Sequence, residues 1–298
     1  MNTTEPLPYL QRIRDYYQAL GYGEPYRFAQ VEDVPFHQPT KPLNQSKVAI
    51  VTTASLFDPS RGEQGPGAPY NGAAKFFEVY SRPSDEDPDL RISHIAIDRD
   101  HTTAEDQASY FPLKALRKLV TLGEVGALAP RFHGLPTNRS QGTTRNVDCP
   151  ELVRRCHQDE VDIALLVPNC PVCHQSVSLA ANALEQAGIS TVISGCAKDI
   201  VEHVGAPRFL FNDFPLGNAA GPPNDPDTQL AIARQALKLA INATGPRTMR
   251  ASPFSWPGAS DWKKNYSNPA LLSEQEIARR RQEFEQAKKD SPKKPNRS

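Results

Sequence analysis

Cys170-Pro171-Val172-Cys173-His174 sits where an apolar run ends and a helical pattern begins, and this placement constrains the fold more than any other feature. Ile163-Ala164-Leu165-Leu166-Val167 is short, branched-rich and bounded by Pro168, the pattern of a buried strand. From His174 onward, Val177, Ala180, Ala181 and Leu184 share one helical face, and Gly188 suits the position after a helix end. Both thiols are therefore expected at a strand's carboxyl end and a helix's N-terminus. Ligands of open α/β sheets bind at that edge, and the positive helix end favours thiolate over thiol.

The rest of the chain alternates in the same way. Strands are expected at 48–53, 90–97, 190–194 and 208–211, and helices at 8–20, 112–122, 150–157, 226–243 and 273–289. Asp225-Pro226 supplies an N-cap with a first-turn proline, and Ser273-x-x-Glu276 a capping box. The long Gly/Pro loop at 58–72 exceeds what a connection needs, which points to a lid or binding segment. Residues 130–134 read as a loop. The alternation predicts a layered α/β fold with a mainly parallel sheet flanked by helices (Rossmann/flavodoxin-like). Residues 1–46 form an N-terminal arm, 47–245 the α/β domain, with a division into two lobes near 145 as an option, and 246–298 a C-terminal extension. That extension is expected to hold a peripheral helix and a disordered basic tail from Asp290.

Composition excludes several classes. Lys plus Arg and Asp plus Glu both number 34, so no global charge draws the chain to nucleic acid or anionic lipid. No apolar stretch approaches the roughly 18 residues of a membrane span. The polar stretch from Met1 to Arg14 lacks the apolar centre of a signal peptide, so a cytoplasmic location is expected. Asn242-Ala243-Thr244 matches a glycosylation acceptor only by chance in that setting. Among five cysteines in a reducing compartment, a close pair means metal or redox chemistry rather than a structural staple.

Cys170 and Cys173 thus form the candidate redox pair. One thiolate attacks and the other resolves the product as a disulfide, with Cys170 the usual attacker in such pairs. Pro171 stiffens the turn. His174 either polarises a leaving group or faces solvent in the first helical turn. Cys196 ends its own strand at the same sheet edge, which gives a second reading: a cofactor-independent racemase or isomerase with two opposed thiols. A third is a metal-binding or non-catalytic partner subunit, with zinc completed by Cys196, His174 or His203. Covalent haem, whose attachment spacing this is, belongs outside the cytoplasm. Ser93-His94 with Asp98, Asp100 and His101 offers polar contacts or a metal site, and Arg131 a carboxylate clamp. Cys149 and Cys156, two helical turns apart, read as core.

Several segments then resemble one family in order along the chain. They are Ile92-Ser93-His94, Phe111-Pro112-Leu113 with Leu116-Arg117-Lys118-Leu119, Gly126-Ala127-Leu128-Ala129-Pro130-Arg131, Pro168-Asn169-Cys170-Pro171-Val172-Cys173-His174-Gln175, and Pro215-Leu216-Gly217-Asn218. Together they resemble the selenoprotein B family of glycine, sarcosine, betaine and D-proline reductases, the D-proline pattern fitting best. The resemblance implies reductive cleavage of a carbon–nitrogen bond in a small amino-acid-like substrate. Cys173 then stands at the selenocysteine position with Cys170 as its resolving partner, the reverse of the generic dithiol order, and sulfur replaces selenium. It also implies a partner subunit bearing a pyruvoyl group. The expected catalytic set is Cys170, Cys173, His174 and Cys196, with His94, Arg131 and Asn218 toward substrate. No bound cofactor is expected, zinc remaining the alternative. An external thiol reductant such as a thioredoxin-like protein resets the pair.

Overall fold

In the computed structural model the described residues are 5–65, 71–94, 96–258 and 260–290. In chain order the elements are α1 (Tyr9–Ala19), β1 (Lys47–Thr52), β2 (Ser55–Leu56), β3 (Tyr80–Pro83), β4 (Leu90–Arg91), α2 (Leu113–Thr121), β5 (Ala127–Leu128) and β6 (Arg131–Gly134). There follow α3 (Gln141–Thr143), α4 (Cys149–Gln158), β7 (Ile163–Val167), α5 (Pro171–Gln186), β8 (Ser190–Gly195) and α6 (Lys198–Val204). The chain then adds β9 (Arg208–Phe211), α7 (Pro226–Asn242), β10 (Thr248–Ala251), α8 (Trp262–Asn265) and α9 (Glu274–Asp290).

The main sheet runs β10-β9-β8-β7-β1-β6-β3, with β5 beside the start of β1. All pairings are parallel except β3 with β6. The expected α/β class, with a mostly parallel sheet between helices, is what the chain adopts. Every residue of β7, β8 and β9 is buried, as parallel strands covered on both faces must be. Helices α4, α5 and α6 pack in succession on one face, and α2 and α7 pack together on the other.

From β1 the chain moves to β6 on one side, then crosses over to β7 on the other and continues outward through β8, β9 and β10. The strand order therefore reverses beside β1, and the crevice beyond the carboxyl ends of β1 and β7 is a topological switch point.

Two sequence expectations need correcting. Among the described residues of the strand expected at 90–97, only Leu90 and Arg91 pair, antiparallel to Ser55–Leu56 in a separate small sheet. Beyond them the chain is held by other bonds: Ser93 Oγ donates to the Gln64 carbonyl at 2.9 Å, and Arg99 Nη2 donates to the His94 carbonyl. Residues 131–134, expected as loop, form β6 because β1 and β3 supply partners on both sides. Pro130 just before this segment and Gly134 at its end read as loop signals in the sequence. Gly134 is required there: a Cβ would meet the Tyr80 ring at 1.9 Å. Strands β3 and β10 carry no such signal either, with mixed burial along both. The tail expected beyond Asp290 lies outside the described residues, as do residues 66–70 of the expected lid.

Helix α5 is buried around nearly its whole circumference, although its sequence marks a single apolar face. The second covering layer is the N-terminal arm. Gln175 accepts from the Ala29 N–H at 2.6 Å and donates to the Tyr26 hydroxyl at 2.6 Å. Glu185 and Arg208, both fully buried, pair at 2.6 Å. The same carboxylate accepts from the backbone N–H groups of His37 and Thr191, while Arg208 donates to the His37 carbonyl at 2.7 Å. This cluster fastens arm, α5 and β9 together.

Breaking it leaves an uncompensated buried charge. Arg208→Met is expected to lower unfolding free energy in urea by about 3–5 kcal/mol. Lys264→Met, which removes an exposed ion pair to Asp261, should cost under about 1 kcal/mol in the same measurement.

Candidate functional site

The site is built where β7 hands over to α5. Cys170 has an extended backbone (φ −136°, ψ 170°) and is the N-cap of α5, its Sγ accepting from the Cys173 N–H at 3.3 Å. Pro171 occupies the first helical turn, where its missing N–H costs nothing. Cys170 and Cys173 form a disulfide, with Cα atoms 4.9 Å apart. Thr137, from the segment after β6, places its Oγ1 3.2 Å from Cys173 Sγ.

His174 locks this helix start to the neighbouring strand. Its Nδ1 donates to the Cys170 carbonyl at 2.8 Å, and its Nε2 accepts from the N–H groups of Cys196 and Ala197 at 3.0 and 3.1 Å. These partners fix the neutral tautomer with the proton on Nδ1. Burial pushes the pKa down to about 4, the bond to Cys170 opposing it. The ring fits because residue 195 is glycine; a Cβ there would meet His174 Nε2 at 2.7 Å. His174 therefore neither faces solvent nor has a free nitrogen for a leaving group.

A cleft of about 150 Å³ opens over the disulfide, lined by Cys170 and His94. Cys170 is 5% exposed and Cys173 0%, so Cys170 is the sulfur on the cleft side. Tyr26, Phe28, Phe76 and Phe284 supply aromatic walls from the arm, from the segment before β3 and from α9. Lys75 and Arg139 are cationic and no described lining residue is acidic, so the cleft suits a small anion with an apolar body. Arg139 lies over the rings of Tyr17 and Tyr26, at 5.6 and 5.5 Å from their centroids. Phe284 stacks on Tyr22 with centroids 4.1 Å apart, which sets α9 against the cleft rim.

His94 is the other titratable group at the disulfide. Its ligand nitrogen and the two sulfurs lie within 4.8 Å of one another, the only such grouping of metal-binding side chains among the described residues. The ring bonds to the Thr53 backbone, and its buried Nδ1 has no hydrogen-bond partner. Burial, then the positive charges of Arg99 and Lys75, lower its pKa to about 4.

The remaining expected residues lie elsewhere. Arg131 starts β6, at the opposite edge of the sheet, and its guanidinium is bound by Asp159 at 2.8 Å, so it is no substrate clamp. Asn218 is buried, with Nδ2 donating to Thr102 Oγ1 at 2.8 Å and the Pro215 carbonyl at 3.1 Å; it shapes a loop. Cys196 reaches the sheet edge but does not line the cleft; its thiol is buried, with its pKa raised by burial and by Asp213. Opposed thiols are thus not what the fold assembles. Asp98 and His101 bond each other at 2.9 Å, and of the metal-binding side chains in that turn His94 is the one grouped with the dithiol. Cys149 and Cys156 are core thiols, both pushed up to about 12 chiefly by burial. Sequence reasoning missed Thr137, Lys75, Arg139 and the aromatic walls, which carry no local motif.

Two curated relatives match the chain. D-proline reductase subunit gamma of Acetoanaerobium sticklandii is 29% identical over 220 residues, 73% of this chain and 87% of the relative. Glycine reductase complex component B subunit gamma of Symbiobacterium thermophilum is 24% identical over 230 residues, 74% of this chain; the match spans 52% of the relative, about half its length. Both bear out the resemblance to the selenoprotein B family. No family model matches the chain, and no solved structure matches it.

Three desolvated imidazoles set a pH dependence. His94, His133 and His174 are all held to about 4, against 6.5 for the free side chain, foremost by burial. Their folded pKa values are depressed, so the unfolded chain binds more protons below 6.5, and stability falls as pH drops from 6.5 toward 4. Urea unfolding at stepped pH should show this loss, and His94→Gln should make it shallower by the share of one histidine. An unchanged slope would contradict a His94 held neutral in the fold.

Proposed function

We propose that this chain, which resembles the selenoprotein B reductases, is a dithiol reductase that cleaves a carbon–nitrogen bond in a small, carboxylate-bearing, amino-acid-like substrate. The observation that carries the reading is the Cys170–Cys173 disulfide at the N-terminus of α5, under a cleft lined by two cations and no described acid. A helix N-terminus stabilises thiolate. The cations fit a carboxylate, and the aromatic walls fit an apolar body.

A thiolate of the reduced pair attacks the carbon that bears nitrogen. The C–N bond breaks as the C–S bond forms, and the amine leaves with the electron pair and takes a proton. The second thiolate then attacks that sulfur. An S–S bond forms, the C–S bond breaks, and the carbon leaves with its electron pair and is protonated. Two electrons pass to the substrate, and an external dithiol reduces the disulfide. The position of Cys170 on the cleft supports it as attacker, with Cys173 beneath as resolving thiol, the reverse of the order the resemblance implies. We assign the chain to a reducing, cytoplasmic setting. We also assign it a partner subunit that activates the substrate amine, in keeping with relatives named as subunits of reductases. No helix among the described residues is long and apolar enough to cross a membrane.

Anaerobic single-turnover assays test the reading with small amino acids, N-methylglycines and betaines as probes. One disulfide should form per C–N bond cleaved. Either Cys170→Ser or Cys173→Ser should lower the rate by at least about a thousandfold. Cys173→Ser should also accumulate a thioether on Cys170, visible as a mass increment on its peptide. Turnover without disulfide formation, or full activity in Cys170→Ser, would overturn it.

A further inference from the structure

We propose that, once reduced, Cys170 and Cys173 join His94 as a three-ligand site for a soft divalent cation, zinc above all, with its fourth position open to the cleft. The inference does not rest on the reductase reading, because it concerns what the reduced sulfurs bind rather than what they reduce.

The donors are already gathered. The histidine nitrogen and the two sulfurs lie within 4.8 Å of one another, before any ion draws them in. A tetrahedral zinc, with Zn–S near ~2.3 Å and Zn–N near ~2.0 Å, places its ligand atoms roughly 3.3–3.8 Å apart. The metal ligand is the thiolate, and a disulfide has none to offer, so the oxidised pair excludes the ion. Reduction frees both thiols to separate.

Independently, His94 carries a buried polar atom to which the protein supplies no partner. Its Nδ1 is buried and has no hydrogen-bond partner. Buried polar atoms are seldom left orphaned. A ring with an unpartnered nitrogen and a ligand atom within 4.8 Å of two sulfurs is a group that a metal ion would satisfy. Thr137 Oγ1, 3.2 Å from Cys173 Sγ, gives one of those sulfurs a hydrogen-bond partner.

The donor set selects the ion. Two thiolates and an imidazole, with no carboxylate in the group, suit zinc over magnesium or calcium. Cys170 and His94 both line the cleft, so water or a substrate oxygen completes the tetrahedron from that side. The ligands foreseen from sequence do not assemble: His174 has both nitrogens engaged in hydrogen bonds, and Cys196 lies outside the grouping.

Stoichiometry follows from the chemistry. A phosphine takes up the oxygen of one water and converts the disulfide to two thiols. Each zinc ion then displaces both thiol protons, and re-oxidation of the sulfurs by a disulfide donor expels the ion.

The test uses the full chain, reduced with a water-soluble phosphine under inert gas, freed of reductant and titrated with Co²⁺ as a spectroscopic substitute. A sulfur-to-cobalt charge-transfer band and intense tetrahedral visible bands should saturate at one equivalent and disappear on adding Zn²⁺. The unreduced protein should give neither, and reduced Cys170→Ser should lose most of the near-ultraviolet band. His94→Ala should weaken zinc binding at least about tenfold against a chromophoric chelator, and His94→Gln serves if the alanine variant does not fold. The proposal is overturned if the reduced protein gives no sulfur-to-cobalt band, which would leave an ordinary thiol–imidazole contact. It is equally overturned if the band survives Cys170→Ser, or if both His94 variants bind with undiminished affinity. Failure here with intact disulfide cycling leaves the reductase reading standing.

Discussion

One imidazole holds the reactive end of this molecule in place. His174 donates to the carbonyl of the N-cap residue Cys170 and accepts two backbone N–H groups from the turn after β8. With both nitrogens occupied and the ring buried, it is a fixed strut between α5 and the adjacent strand. Gly195 makes room for it, and the arm covers the outer side of α5 through Gln175. Loss of the ring would leave buried N–H groups without acceptors, at about 1–3 kcal/mol each. The dithiol therefore sits on a helix start braced from two sides, and fixed placement is what a reaction between closely placed atoms requires.

That rigidity is combined with an electrostatic setting of one sign. The N-terminus of α5 and the side chains of Lys75 and Arg139 all present positive charge toward the cleft. By contrast, burial raises the thiols of Cys149, Cys156 and Cys196. One chain thus holds two populations of cysteine: three kept as inert thiols in the core, and a pair placed at a helix end under a cleft. The same environment that favours thiolate also favours an anionic substrate.

The local parts of this arrangement were legible in the sequence. The β7-to-α5 handover, the strand at 208–211 and the Asp225 cap each rest on a short run of residues with its own period or punctuation. The dithiol was legible for the same reason. The cleft was not, because its walls come from the arm, the segment before β3, the segment after β6 and α9, which only the fold brings together. His94 was singled out as a polar residue near substrate, yet its approach to two sulfurs more than seventy positions away is a tertiary fact. Arg131 shows the converse: a guanidinium beside small residues reads as a clamp until Asp159 is found holding it. His174 carries the same lesson, since a histidine in a first helical turn gives no sign that a strand end will take its second nitrogen.

The central claim is that Cys170 and Cys173 interconvert between dithiol and disulfide at the floor of an open cleft, while the other cysteines stay out of reach. Timed alkylation of the folded, reduced protein followed by peptide mapping tests it most directly. The account predicts that Cys170 is labelled first and that prior oxidation protects it, with Cys149, Cys156 and Cys196 labelled only after unfolding. Labelling of Cys196 or Cys149 ahead of Cys170, or a Cys170 that stays unlabelled until the chain unfolds, would contradict it.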